Sequence, residues 1–418
     1  GKAFAPVIPS FQYAYNKGRW SFQGNFALTG GGGKCTFDNG LGSFEKIVAE
    51  TAMAASQLAT GIDGVASHYG VPNIFSTNAV FGKEGKYSYD SYMHGRQYYF
   101  GLSLGAAYKV TDNFSAYAGV RGLYATCNYY GYVRDIKVGN MPLYQVLDAT
   151  KTYAADIELS CDQSGIGFTP IIGIDFKTGR WNFSAKYEFK TRMRLKNKAV
   201  NQSPSIGNLP NNLYAAYIKN GVSDATARAI LGNDAIKGAM LQLKGQFDKE
   251  LDHAIGEYED GKKIAADIPA YLTLGAGYSP IDALRINVGF HWFNDKNATS
   301  YNNRNKLLDR GTLEYNAGVE YDVNKKITVS CGWQNTSYGL SDEYMEDRSF
   351  VVSSNSTAIG GVWHINKKMD LNVAYFHTFY DHKKTSEQLN TGAANAPTYK
   401  ADYTRNNNVF GVGLDIHF

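Results

Sequence analysis

The sequence predicts an all-β fold: a transmembrane, antiparallel, up-and-down β-barrel of about fourteen strands with helical extracellular loops. Three observations carry this expectation. Apolar and polar residues alternate with period two over many segments of about ten residues or more. The connections between those segments are alternately tight and long. The 418 residues include 44 glycines and 31 tyrosines but only 10 prolines, which suits closely turning strands with aromatic rings at a membrane interface.

The alternation is clearest at the C-terminus, where Phe410, Val412, Leu414, Ile416 and Phe418 share one face and Gly411, Gly413, Asp415 and His417 the other. Leu284 to Trp292, Leu313 to Tyr321, Ile327 to Trp333 and Trp181 to Phe189 repeat the pattern. A soluble sandwich or a lipocalin-like barrel also has one apolar face per strand. Strand length and connection asymmetry separate the two. Ten residues match a tilted membrane crossing. Tight turns at Asn16-Lys17-Gly18, Thr111-Asp112, Lys177-Thr178-Gly179, Pro280-Ile281-Asp282, Asn324-Lys325 and Asn366-Lys367 alternate with long connections near 30–90, 132–160, 195–264, 296–309, 338–347 and 381–404. One tight end and one loose end is the outer-membrane arrangement, and an aromatic last residue, Phe418, fits an outer-membrane assembly signal. Residues 1–418 read as a single barrel. About thirteen strands are visible, and the first of them, near Ile8 to Tyr15, runs into a tight turn. An even barrel therefore implies one more strand upstream of Gly1.

The formal net charge of +4 lies on a mixed background, which does not point to nucleic acid. No apolar run approaches the ~20 residues of a membrane helix. No charged and apolar leader opens the chain, as is also true of a mature exported protein. Cys35, Cys127, Cys161 and Cys331 form no C-x-x-C pair, so no metal or redox cofactor is implied. Cys127 and Cys161 flank one loop, and their spacing allows either a disulfide or two free thiols. His94, His291, His364, His377 and His417 fall singly on strands, and no catalytic set emerges, so the chain reads as a non-enzyme.

The stretch "ALTGGGGKC" invites a nucleotide-binding reading and fails it. A phosphate loop needs a glycine where Leu28 stands and a hydroxyl where Cys35 stands, and its preceding strand should be continuously apolar. Arg19 to Thr29 alternates instead. Glycines weaken and bend strands, so Gly30, Gly31, Gly32 and Gly33 are candidates for a break in the wall, against the plainer reading of a flexible loop start.

Two long loops carry helical patterns. Ser43 is expected to cap a helix bearing Phe44, Ile47, Val48, Leu58, Ile62 and Val65. Ser223 to Leu231 makes a short helix stopped by Gly232. Asn233 starts a longer one whose Ile236, Met240, Leu243, Phe247, Leu251, Ile255 and Tyr258 step by three or four. Such a cap either packs on itself or offers spare apolar surface to a greasy substrate, for which Leu243, Phe247 and Leu251 are the candidate residues. On Trp181 to Leu195, Lys186, Glu188, Lys190, Arg192 and Arg194 read as one charged face. Lys190, Arg192 and Arg194 are candidates to hold a carboxylate head group; the plainer readings are a lumenal charge ladder or a basic rim near lipopolysaccharide.

The stretches "YYFGLSLGAAYKVTDNFSAYAGVRGLYA", "GIGFTPIIGIDFKTGRWNFSAKYEFKTRMRLK", "DIPAYLTLGAGYSPIDALRINVGFHWF" and "NNNVFGVGLDIHF" resemble the FadL-type family of outer-membrane transporters for long-chain fatty acids and other hydrophobic compounds. The resemblance covers most of the chain. It implies fourteen strands, residence in the outer membrane of a Gram-negative bacterium, and contact with membrane lipids and lipopolysaccharide. It also implies lumenal binding of a hydrophobic small molecule, above all a long-chain fatty acid, and release sideways through a gap made by a kinked third strand. Arg19 to Thr29 falls at that strand. The family's N-terminal hatch, with its Asn-Pro-Ala element, has no counterpart in this sequence. Two alternatives stand beside this reading: a FadL-like barrel serving as a protein partner or shuttle in secretion, and a polar-solute porin.

Overall fold

A membrane wall must pair its backbone groups internally, because lipid offers them no hydrogen bonds. The computed structural model, which describes residues 1–76, 87–348, 350–389 and 396–418, meets this demand with one long antiparallel ladder. Its first six strands are β1 Ser10–Lys17, β2 Trp20–Phe37, β3 Tyr87–Lys109, β4 Phe114–Val138, β5 Ile157–Thr178 and β6 Trp181–Glu188. The remaining seven are β7 Tyr271–Ile281, β8 Leu284–Phe293, β9 Arg310–Asn324, β10 Ile327–Gly339, β11 Ser354–Asn366, β12 Met369–Tyr380 and β13 Asn406–Ile416. Each strand pairs with the next in sequence. Tight turns close one end, as their sequences predict: Thr178 faces Trp181, Lys17 faces Trp20 and Ile281 faces Leu284.

Alternation becomes two faces. On β5, Ile166, Phe168, Ile172 and Ile174 point outward and are exposed, while Thr169 and Ile171 between them are buried on the lumen side. Directly paired residues share a face, so the register carries this assignment across the wall. Phe168 faces Gly122 and Ile166 faces Tyr124 on β4; Leu102 and Leu104 extend the outward set on β3.

The largest apolar core lies outside the wall, in a cap of helices at the loose end: α1 Gly42–Ser67, α2 Leu209–Lys219, α3 Asp224–Leu231 and α4 Asp234–Ile255. Val48, Ile62, Tyr217, Ile230 and Ile236 are fully buried there against Leu143, Leu147 and the outer end of β4. Asn233 Oδ1 accepts from the Ala235 N–H at 2.9 Å and Ser223 Oγ from the Thr226 N–H at 3.2 Å, which starts these two helices where the sequence places them. Ser43 is not the cap of α1. The helix starts two residues earlier, with Leu41 at the N-cap, Ser43 sits in its first turn, and the Ser43 N–H donates to Asp347 Oδ2 at 2.6 Å from a distant loop. The helix α2 was not foreseen.

The segment Trp181 to Leu195 is not one strand, and its five charges do not share one face. The ladder leaves β6 at Glu188, which faces Ile171, and resumes over Arg194–Gln202, where Lys196 faces Ser164. From Ile171 back to Ser164 is seven steps; from Glu188 on to Lys196 is eight. One extra residue inverts the side-chain phase. Lys186 and Glu188 point into the lumen, whereas Arg192, Arg194, Lys196 and Lys198 fall in phase with Ile166 and Phe168, on the outward face.

This assignment of faces makes a direct prediction. Ile172→Arg, on the outward face of β5, should destabilise the barrel in lipid vesicles by about 2–4 kcal/mol. Ser330→Arg, on the lumen face opposite Glu320, should cost far less. A larger loss at Ser330 than at Ile172 in denaturant unfolding would mean that the faces are reversed.

Candidate functional site

The strand β2 does not end at its glycines; it runs through them with two irregularities. Leu28 faces Phe100, Gly30 faces Tyr99, Gly31 faces Tyr98, Gly33 faces Gln97 and Lys34 faces Arg96. Six steps on β2 are set against four on β3. The two extra residues, Thr29 and Gly32, are bulges, and because there are two of them the inward–outward phase is restored at Lys34. Glycine is required unequally here. Gly31, Gly32 and Gly33 have φ of +75°, +129° and +131°, which side chains other than glycine rarely adopt. A Cβ at Gly31 would also run into the Gln97 carbonyl, and one at Gly33 into the Phe4 carbonyl. Gly30 has ordinary backbone, and a Cβ there would make an ordinary contact with the Tyr99 Cβ at 3.5 Å.

The other edge of β2 is interrupted at the same level. The strand β1 covers it from Trp20 to Ala27, and the short strand Lys2–Phe4 covers Lys34 to Thr36. Between these ladders, Leu28 to Gly33 have no strand partner on that side among the described residues. The chain opposite is Ala5-Pro6-Val7-Ile8-Pro9, whose two prolines carry no N–H to donate. A side chain at position 32 would lie 3.5 Å from Ile8 Cδ1 and 3.6 Å from Leu28 Cδ2. The ladder is therefore unzipped from Leu28 to Gly33 and lined there by Leu28, Val7 and Ile8, the last two exposed.

Behind the glycines the lumen is layered. Leu123, Ala125, Cys127, Met193, Leu195 and Ile264 form a buried apolar layer, with Tyr99 and Tyr129 packed against it. Tyr99 bridges this layer to the gap, since its Cβ abuts Gly30 and its carbonyl accepts the Thr29 hydroxyl at 3.1 Å. The next lumen position toward the tight turns is charged. Arg121 donates to both oxygens of Glu188 at 2.7 and 2.9 Å, and Lys186 Nζ donates to Glu188 at 2.9 Å and to the Tyr271 hydroxyl at 2.8 Å. Further down, a polar cavity of about 530 Å³ is lined by Arg285, Glu320, Asp322 and His364. An apolar layer thus stands on a charged floor, at the level of the bulges and of the unpaired edge of β2. The residues of that layer were missed in the sequence. Their signal is the local failure of alternation at Leu123-Tyr124-Ala125, where both faces turn apolar.

The basic candidates are engaged differently. Lys190 and Arg194 both reach Asp267, at 3.6 and 2.6 Å. Burial pushes the Asp267 carboxyl up, but Arg194, the Met193 N–H and Lys190 outweigh it and hold the group below the usual aspartate range. The tie therefore persists at neutral pH and weakens only as pH falls through that depressed value. Arg192 is exposed and has no ion pair among the described residues. In the cap, Leu243 is buried in the helical core, and Phe247 and Leu251 pack against it. Leu251 also reaches the surface, where it lines a shallow groove of about 610 Å³ with Val200, Ile255, Asp248, Asp252 and Asp260. Cys127 and Cys161 are buried free thiols, and among the described residues no cluster of three metal-ligating side chains occurs.

The unequal demand for glycine is testable. Gly31→Ala and Gly33→Ala should each lower the barrel's unfolding free energy, by about 1–3 kcal/mol for the forced backbone, while Gly30→Ala should leave it unchanged. Equal tolerance at all three would remove the bulge geometry described here.

The family model described as outer membrane protein transport protein (OMPP1/FadL/TodX) matches residues 45–418. No curated protein matches the chain. Among solved structures, a FadL homologue of Pseudomonas aeruginosa is similar at 14% identity, with 98% of this chain and 78% of that one covered and a TM-score of 0.56. The toluene transporter TbuX of Ralstonia pickettii is similar at 12% identity, covering 98% and 81%, with a TM-score of 0.49. The P. putida toluene transporter TodX is similar at 12%, covering 98% and 82%, with a TM-score of 0.48. The chain belongs to the OmpP1/FadL/TodX family, the outer-membrane β-barrels of Gram-negative bacteria that transport hydrophobic compounds.

Proposed function

We propose that hydrophobic small molecules, long-chain fatty acids among them, collect in the apolar layer of the lumen and leave sideways into the bilayer between Leu28–Gly33 and Ala5–Pro9. The observation that carries this reading is the interrupted edge of β2, placed where Tyr99 joins it to the apolar layer. The charged floor at Arg121, Lys186 and Glu188 supports the same direction. Moving a hydrocarbon past paired, hydrogen-bonded charges brings no gain, whereas the lateral route keeps it among apolar groups. A reversible clamp tests the route. In a Cys35→Ser background, Ile8→Cys with Leu28→Cys should accept a short reducible cross-linker. Uptake of a hydrophobic fluorophore by cells should then collapse and return on reduction. Uptake indifferent to the clamp sinks the lateral route.

A second reading concerns the head group. The groove beside Leu251 carries Asp248, Asp252, Glu259 and Asp260, a rim that favours an uncharged hydrophobe over a carboxylate. Arg192, without an ion pair among the described residues, lies on the outward face, so it would meet a fatty-acid carboxylate only outside the lumen. Tryptophan-fluorescence titrations of the purified barrel with oleate and with oleyl alcohol separate the two. Tighter oleate binding that is lost in Arg192→Gln supports the fatty acid; tighter alcohol binding, unchanged in that variant, supports a neutral cargo.

A further inference from the structure

The strands β3, β4 and β5 are 23, 25 and 22 residues long. At ~3.3 Å per residue and a tilt near 40° they rise on the order of 55 Å, about twice an apolar band of ~25 Å. Their outward faces change character at one level. Below it stand Leu104, Leu102 and Phe100 on β3, Val120 and Tyr124 on β4, and Ile172, Phe168 and Ile166 on β5. Above it the register aligns a polar row across five strands: Lys34, Arg96, Asn128, Asp162 and Lys198 face one another in succession. Lys196 flanks this row on the membrane side, opposite Ser164. Lys34, Arg96, Lys196 and Lys198 are exposed and have no ion-pair partner among the described residues. Asp162 accepts from Asn128 Nδ2 at 2.8 Å. On the far side of the row, Tyr92, Tyr130 and Tyr132 form a ring cluster with centroids 6.0 to 6.3 Å apart, and Arg134 lies over Tyr132 at 4.1 Å.

We propose that this sheet face binds the phosphorylated sugars of lipopolysaccharide. The cations lie just above the outward apolar band, where the phosphates of an outer-leaflet glycolipid begin, and the rings lie beyond them, where its sugars continue. Unpaired Lys and Arg groups match phosphates by charge and hydrogen bonding. The half-buried rings of Tyr92, Tyr130 and Tyr132 offer sugar rings an amphipathic surface. A flat, solvated strand extension needs neither the unbalanced cations nor the ring cluster. The inference rests on residence in the outer membrane and not on the transport route, so it stands or falls apart from the cross-linking test.

The test uses the full chain in non-ionic detergent with three probes: rough lipopolysaccharide carrying core phosphates, the same material enzymatically dephosphorylated, and phosphatidylglycerol vesicles. The triple variant Lys34→Gln, Arg96→Gln, Lys198→Gln should bind the phosphorylated form about tenfold or more weakly than the parent, since each charge-assisted bond lost is worth over a kilocalorie. A Lys325→Gln control at the tight-turn end should bind as the parent does, and both variants should keep the parent's heat-modifiable migration. Undiminished binding by a folded triple variant overturns the proposal. So does equal binding of the dephosphorylated form, or equal competition by phosphatidylglycerol, which would reduce the face to a generic anionic-lipid surface. If the glutamine triple fails to fold, the single variants Arg96→Lys and Arg96→Gln replace it, with lysine expected to retain binding that glutamine loses.

Discussion

Backbone pairing in lipid is the constraint from which the rest of the molecule follows. Each N–H or C=O left without a partner in the hydrocarbon costs several kcal/mol, so twelve consecutive strand pairings run almost unbroken from β1 to β13. Where the edge is left open, at Leu28 to Gly33, the opening is confined and placed high. Gly31 faces Tyr98 and Lys34 faces Arg96, so the unpaired stretch spans the level at which the outward surface turns from apolar to charged. Water and head groups reach that level. The glycines serve this arrangement in two ways: they adopt the backbone that the bulges require, and they leave no side chains to refill the opening.

The same constraint explains the division of labour between wall and cap. A wall whose outward residues face lipid has little interior of its own, so the apolar core moved to the helices. These are tied down by charge as well as by burial. In the connection after β10, Glu346 pairs with Arg304 and with Arg348, Arg348 Nη1 donates to the Ala254 carbonyl at the end of α4, and Asp347 accepts from the first turn of α1. Three consecutive residues therefore join two helices and a neighbouring loop. A carboxylate at a helix N-terminus and a guanidinium at a C-terminus also complement the helix dipoles, so one short segment holds both ends of the cap.

Much of the wall was legible in the sequence because side-chain alternation is a local property with a fixed period. Leu284 to Trp292 or Phe410 to Ile416 declare their faces without knowledge of a partner. The tight turns are local for the same reason, as are the helix starts at Asn233 and Ser223. What could not be read locally depends on counting residues in two strands at once. The inversion of Arg192 and Arg194 arises from eight residues set against seven, and nothing within Trp181 to Leu195 reveals the count on β5. The bulges at Thr29 and Gly32 are of this kind; the glycines marked the place, but not that the strand continues to Phe37. The α1 cap was misplaced because its acceptor, Asp347, lies some 300 residues away, beyond any spacing rule.

The inverted phase also gives the barrel two separate populations of charge. Lumen charges such as Glu188, Arg121 and Lys186 are mutually satisfied over 2.7 to 2.9 Å, which makes them a rigid floor and poor ligands for a passing anion. The outward charges of Arg194–Gln202 belong to another environment, the head-group layer, where water and ions can solvate them. Had the phase not slipped between Glu188 and Lys196, Arg192, Arg194, Lys196 and Lys198 would all point into the lumen, against the apolar layer of Leu123, Met193 and Ile264. That concentration of charge would replace an apolar chamber with a cation-lined one. The single extra residue near Thr191 is therefore what allows a hydrophobic layer to exist above the charged floor, at the height where the edge of β2 is unpaired.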